Sequence, residues 1–229
     1  MQPIPTSVVV VGGSLAGLMS GIQLKRLGSN VTLLEQEVSS ERSSHIAGIG
    51  FGLHMKDFLE KYDFTGLATS IAATSTQIAY RKNSNILKFN APRLLTSWGL
   101  LYRILRANFD GHASAACPNP PPAREGEGSV NYRAGKKVTG LEYIDALTTV
   151  HYVDVTNGEP GRVTADLVIA ADGMHSTIRT LLQPSVTAEY SGYVAWRGTV
   201  RENDVLPETR EYFANNVTLD LLSDSYILT

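Results

Sequence analysis

Hydrophobic positions along the 229-residue chain change period several times, and the changes predict the elements. Val8 to Val11 is a short, continuous, β-branched run, the pattern of a strand buried on both faces as in a parallel sheet. Glycines follow at once. Leu15, Leu18, Met19 and Ile22 then recur at i, i+3, i+4 and i+7, with Gln23, Lys25 and Arg26 toward the other face. Gly28 is placed to end that helix, and Val31 to Leu34 reads as a second buried strand. These pieces make a βαβ unit. Residues 36–50 read as loop, and Met55 to Tyr62 as a helix. Ile78 to Phe89 is mixed and predicts two strands around Asn83-Ser84-Asn85. Trp98, Leu101, Tyr102, Leu105 and Phe109 predict another helix, capped by Ser97.

The proline-rich stretch from Cys117 to Gly128 reads as a surface loop, and Val138 to Val155 as strands. Leu167 to Ala171 is again continuously apolar and belongs with Val8 to Val11 in one parallel sheet. Ser176 is placed to cap a short helix ending near Leu182. From Tyr190 onward the pattern predicts antiparallel strand, with Val217, Leu219 and Leu221 alternating against Thr218 and Asp220, then a turn at Ser223-Asp224-Ser225. The chain has no internal repeat. It stops four residues into the next strand, so we expect a truncated chain.

Composition narrows the function classes. Hydrophobic content of 43% and charge of 18% describe a globular protein, and a net charge of −2 gives no reason to expect nucleic acid or an anionic membrane as partner. The first residues lack the basic and apolar regions of a signal peptide, which points to an intracellular, cytoplasmic location. No apolar run approaches membrane-spanning length. The single cysteine, Cys117, excludes an intramolecular disulfide. The five histidines lack helical metal-pair spacing, so no metal is expected.

The glycine segment carries chemistry. Gly12 starts a tight strand-to-helix turn, and Gly17 lets the helix lie close to the strand. The free N–H groups near Gly13, Ser14, Leu15 and Ala16 suit a pyrophosphate. Ser14 replaces the usual middle glycine, and Gly13 beside it supplies the slack. Glu35 ends the second strand, where a carboxylate accepts from ribose hydroxyls and opposes a 2′-phosphate. Alone, this predicts a dinucleotide site that suits FAD or NAD.

A second segment, Asp172-Gly173-x-x-Ser176-x-x-Arg179 after an apolar strand, resembles the D-G motif of the single-component, p-hydroxybenzoate hydroxylase-like flavoprotein monooxygenases. Other segments are similar to the same family. Thr96-Ser97-Trp98 with Leu105-Arg106-Ala107-Asn108 resembles its flavin-contacting helix, and Ala47-Gly-Ile-Gly50 the loop beside the isoalloxazine. Tyr190 to Gly198 resembles the branch of 2,6-dihydroxypyridine 3-monooxygenases and their fungal relatives.

The resemblance implies an α/β fold: a Rossmann-like FAD-binding parallel sheet with helices over residues 1–184, plus part of an antiparallel β-sheet substrate domain over 185–229, to which 75–97 contributes. It implies FAD as cofactor, NADPH or NADH as transient reductant, and hydroxylation of an aromatic or heteroaromatic ring by O2 through a C4a-hydroperoxyflavin. A homodimer is among the expected assemblies. Carried over by position, Gly12 to Gly17 and Glu35 hold the ADP half of FAD. Arg42 and Arg106 reach the flavin side, and Asp172, Gly173 and Arg179 serve the flavin and the nicotinamide. Members also carry a later Gly-Asp motif, absent here, so the alternative is a truncated, non-catalytic FAD-binding fragment. A flavin halogenase is disfavoured because neither Trp98 nor Trp196 lies in a W-x-W-x-I-P motif.

Overall fold

The computed structural model describes residues 4–39, 47–80, 86–213, 216–221 and 225–228. They fall into two compact units. One comprises Met1–Ala47, Asp57–Thr69 and Ser97–Ala188; the other comprises Gly48–Lys56, Ser70–Thr96 and Glu189–Thr229. Parallel and antiparallel sheets with helices make the fold mixed α/β.

The first unit is built on a four-stranded parallel sheet. Its strands are β1 (Ser7–Val11), β2 (Asn30–Leu34), β6 (Val130–Arg133) and β10 (Leu167–Ala170), in the order β10-β1-β2-β6. Val8 to Val11 each keep 4% exposure or less, as a strand covered on both faces requires. Burying each valine stabilises the fold by roughly 1.5–3 kcal/mol. Val9 and Val11 share a core with Leu34, Val138, Val150, Ala165 and Ile178. Leu34 is on β2; the other four come from an antiparallel sheet, β7 (Lys136–Ile144), β8 (Leu147–Asp154) and β9 (Pro160–Ala165), and from α4 (Thr177–Leu182). Val10 points the other way, toward α1 (Leu15–Arg26), which packs on α3 (Trp98–Asp110).

Several expected features are present. Gly28 has φ +92°, and its N–H donates to Lys25 O at the end of α1. The Ser97 hydroxyl accepts from Leu100 N at the start of α3. The Ser176 hydroxyl accepts from Arg179 N at the start of α4. β6 was not anticipated. It pairs in parallel with β2, Val31 opposite Val130 through Leu34 opposite Arg133.

Lys25 joins α1 to the end of α3. Its buried ammonium donates to Asn108 O at 3.1 Å and Phe109 O at 2.9 Å, and meets Glu127 at 3.3 Å. Carbonyls at a helix C-terminus need such donors. Lys25→Met should therefore lower stability by about 1–3 kcal/mol, read as a lower melting temperature. An unchanged melting temperature would remove this junction from the account.

The second unit holds a mixed sheet of β3 (Gly48–Phe51), β4 (Ile71–Tyr80), β5 (Ile86–Ser97), β11 (Asn216–Leu221) and β12 (Tyr226–Leu228), ordered β12-β11-β4-β5-β3. β4 pairs antiparallel with β5, β11 parallel with β4, and β12 antiparallel with β11. The two strands foreseen at 78–89 are thus longer than expected, and Asn83-Ser84-Asn85 lies outside the described residues. Gly48 to Gly50, read as loop, belong to the strand Gly48–Phe51.

The expectation of antiparallel strand from Tyr190 onward needs correction. Residues 190–200 form no helix or strand, and Trp196 is 94% exposed. An alternating sequence becomes a strand only where a neighbour completes its hydrogen-bond ladder, and none does so here among the described residues. Pro207–Phe213 is a helix, α5, with proline at its first position and Glu208 in its first turn.

Candidate functional site

Two motifs far apart in sequence meet at the C-terminal edge of the parallel sheet. Val11 pairs with Ala170, and Ala171 N donates to Val11 O at 2.8 Å. Gly12 therefore turns directly against the Ala171–Asp172 backbone. A Cβ on Gly12 would lie 2.3 Å from Ala171 O and 2.9 Å from Asp172 N, and its φ of +102° disfavours any side chain. Gly17 is closed in as well, its hypothetical Cβ 1.9 Å from Gly12 O. Neither position has room for a methyl group.

Glu35 holds the turn from the other strand. Gly12 N donates to Leu34 O at 2.8 Å, and Gly13 N donates to Glu35 Oε2 at 2.6 Å. Glu37 N donates to Glu35 Oε1 at 2.8 Å, and Glu35 is only 6% exposed. The carboxylate is thus oriented by two backbone donors. Ser14 stands at the N-cap of α1 with extended backbone and makes no side-chain cap hydrogen bond. Ser14 thus leaves the first-turn N–H groups of Leu15, Ala16 and Gly17 without its side-chain cap, and the positive end of the helix lies beside glycine backbone. These features fit the pyrophosphate and adenosine ribose of FAD.

Asp172 caps α4. Its Oδ1 accepts from the Ser176 hydroxyl at 2.6 Å, and its Oδ2 from Ile178 N at 3.2 Å. Gly173 takes φ +77° in the turn. The Arg179 guanidinium donates to Met174 O, so Arg179 braces the turn through backbone rather than through the Asp172 carboxylate. Ser176 and His175 belong to this capped turn, and Ser176 is bonded to Asp172 rather than to a histidine.

Arg106 is 4% exposed and engaged inside its own unit. Its Nε and Nη2 donate to Asp110 at 3.1 and 2.8 Å, and its Nη1 donates to Tyr102 Oη at 3.0 Å. Burial opposes the charge, yet the hydrogen bonds and charge of Asp110, with Tyr102, hold the guanidinium pKa above its ordinary value. The guanidinium carbon stands 3.6 Å from the centroid of Tyr132. Tyr132, on the unanticipated strand β6, was missed by sequence reasoning. Arg42 lies outside the described residues.

Among the described residues, no group of three or more His, Cys, Asp or Glu side chains could hold a metal ion. No described helix is long and apolar enough to cross a membrane. Cys117 is buried, and burial pushes its thiol pKa up, away from reactivity.

Known proteins are similar to this chain in sequence and in fold. A family profile described as FAD binding domain matches residues 5–214. The chain is 26% identical to 2,6-dihydroxypyridine 3-monooxygenase of Paenarthrobacter nicotinovorans, over 100% of this chain and 51% of that protein. It is 27% identical to kynurenine 3-monooxygenase of Salinispora arenicola, over 82% of this chain and 41% of that protein. It is 26% identical to a phenazine 1,6-dicarboxylic acid hydroxylase of Lysobacter antibioticus, over 92% of this chain and 51% of that protein.

In fold it is similar to the solved 2,6-dihydroxypyridine-3-hydroxylase of Arthrobacter nicotinovorans, with a TM-score of 0.76 over 99% of this chain and 52% of that one at 23% identity. A putative FAD-containing monooxygenase of Photorhabdus luminescens gives a TM-score of 0.63 over 94% of this chain and 52% of that one, at 17% identity. The chain spans about half the length of these relatives. With a glycine turn, the Glu35 carboxylate and a D-G turn meeting at one sheet edge, and with that profile matched over most of its length, the chain belongs to the FAD binding domain family.

Proposed function

We propose that this chain supplies the FAD-binding half of an NAD(P)H-dependent monooxygenase that hydroxylates an aromatic or heteroaromatic small molecule. The observation that carries the reading is the meeting of Gly12, Glu35 and Asp172 around one uncapped helix start. When bound, FAD supplies the redox chemistry: it accepts reducing equivalents from NAD(P)H and activates O2 for transfer of one oxygen atom to the ring.

The chain's own residues bind and orient. The N–H groups at the start of α1 take the pyrophosphate, with glycine backbone allowing close approach. Glu35 accepts from the ribose hydroxyls, and its fixed orientation favours a free 2′-hydroxyl over a 2′-phosphate. Asp172 and Gly173 line the flavin and nicotinamide side, and Arg42, Arg106 and Arg179 add positive charge around the cofactor. Residues 185–229, together with 75–97, form part of the substrate-binding surface. A homodimer is the proposed assembly.

Purified protein, supplemented with FAD, should consume NADH or NADPH faster when a phenol or hydroxypyridine is added, with hydroxylated product by mass spectrometry. Consumption that yields only hydrogen peroxide would refute hydroxylation by this chain, and FAD uptake with no consumption at all would leave the non-catalytic reading.

A further inference from the structure

Between α3 and the glycine turn stands a column of aromatic and charged side chains. Trp98 stacks on Tyr102, with centroids 5.0 Å apart and planes 11° from parallel. Tyr102 Oη takes the hydrogen bond from Arg106 and lies 3.3 Å from Tyr132 Oη. The Arg106 guanidinium carbon stands over the Tyr132 ring, 3.6 Å from its centroid, close enough for a strong cation–π contact. At the far end, Tyr132 meets the turn itself. A Cβ on Gly13 would lie 2.5 Å from Tyr132 Oη and 2.9 Å from its Cζ. The same Gly13 gives its N–H to Glu35.

We propose that Tyr132 is a positioning residue for the cofactor. Its ring, covered on one face by the Arg106 guanidinium and meeting Gly13 at its hydroxyl end, sets the height of the Gly12–Gly13–Ser14 turn. Arg106 acts on the dinucleotide through Tyr132, at the ADP half, rather than by touching the flavin. Asp110 fixes the guanidinium plane by its bidentate grip, and a planar guanidinium held that way makes a rigid backstop for a ring. This inference rests on the reading that the glycine turn holds the FAD pyrophosphate.

The test compares FAD with ADP, which lacks the flavin. Calorimetric titration of both ligands is run on the native chain, Tyr132→Leu, Tyr132→Phe and the pair Arg106→Met/Asp110→Asn. The paired change avoids leaving a carboxylate without its partner. Tyr132→Leu and the paired variant should weaken FAD and ADP by the same factor, about tenfold to a hundredfold, at ~1.4 kcal/mol per tenfold. Tyr132→Phe keeps the ring and should stay within about threefold of native. Loss of FAD affinity with ADP affinity intact would show that Arg106 contacts the flavin directly, and would overturn the inference. So would unchanged affinities for both.

If the native chain binds neither ligand, the proposed function fails first, and melting temperatures of the ligand-free protein then decide the positioning claim. Gly13→Ala should lower the melting temperature of the native chain by several degrees. In the Tyr132→Leu background that loss should fall by at least half; should Tyr132→Leu not fold, Tyr132→Phe, which removes the nearest atom, should show a smaller reduction. Equal losses in all backgrounds would sink the claim that Tyr132 sets the turn.

Discussion

Gly17→Ala is expected to reduce FAD affinity at least about a hundredfold and to lower the melting temperature as well. The added methyl group would lie 1.9 Å from Gly12 O, a backbone atom. Gly12 cannot retreat, because its own N–H is held by Leu34 O and its Cα faces the Ala171 carbonyl. The start of α1 must therefore swing away from β1. Overpacking of this kind costs about 1–3 kcal/mol of stability, occasionally more. The effect on binding is larger than that figure suggests, because the displaced N–H groups are the ones proposed to meet the pyrophosphate. Hydrogen bonds to a charged group contribute about 1.5–3 kcal/mol each, so misplacing two of them accounts for the hundredfold loss. Gly111→Ala is the control for the loss of a glycine. That residue caps α3 in a left-handed conformation with open space where a Cβ would go, so it should cost stability and leave FAD affinity unchanged. Equal FAD affinity for native protein and Gly17→Ala would remove the glycine turn from the site.

The second large effect belongs to Glu35. Its carboxylate accepts from Gly13 N and Glu37 N while nearly buried. Glu35→Ala leaves two backbone N–H groups without their acceptor, at about 1–3 kcal/mol each, and removes the proposed ribose contact. FAD affinity should fall about a hundredfold or more. Glu35→Gln retains one acceptor oxygen, so the loss should be roughly tenfold, with most of the thermal stability kept. Calorimetric titration of the two variants checks the order. Should Glu35→Gln and Glu35→Ala weaken FAD equally while melting alike, the turn-holding role would be wrong.

Much of the site was legible in the sequence because it is written in local chemistry. Four valines in a row need two covered faces, and the positions of Gly12 and Gly17 are fixed by contacts that a Cβ would violate. The continuous run at Leu167 to Ala171 could be joined to Val8 to Val11 on the same reasoning, and register pairs Val8 with Leu167. What escaped was set by partners distant in sequence. β6 is only Val130–Arg133, half polar, and becomes a strand because β2 offers it a parallel edge. Missing β6 meant missing Tyr132. Residues 190–200 failed in the opposite direction, since their strand-like sequence finds no ladder among the described residues.

Two signals were present and could have been used. Pro207 followed by Glu208 is a helix start, which argued against strand at α5. Arg106 and Asp110 stand four apart on a helix, a spacing that foretells an internal ion pair. The sequence therefore identified Arg106 as notable without showing that three of its donors are already taken by Asp110 and Tyr102.

The account stands on one claim, that Gly12, Glu35 and Asp172 build a single FAD site on this chain. Calorimetric titration of the purified 229-residue chain with FAD tests it most directly, run beside the Gly17→Ala variant. The account predicts one FAD per chain for the native protein and a large loss of affinity for the variant. A native chain that stays folded and takes up no FAD, or a variant that binds it as well as the native chain does, would contradict it.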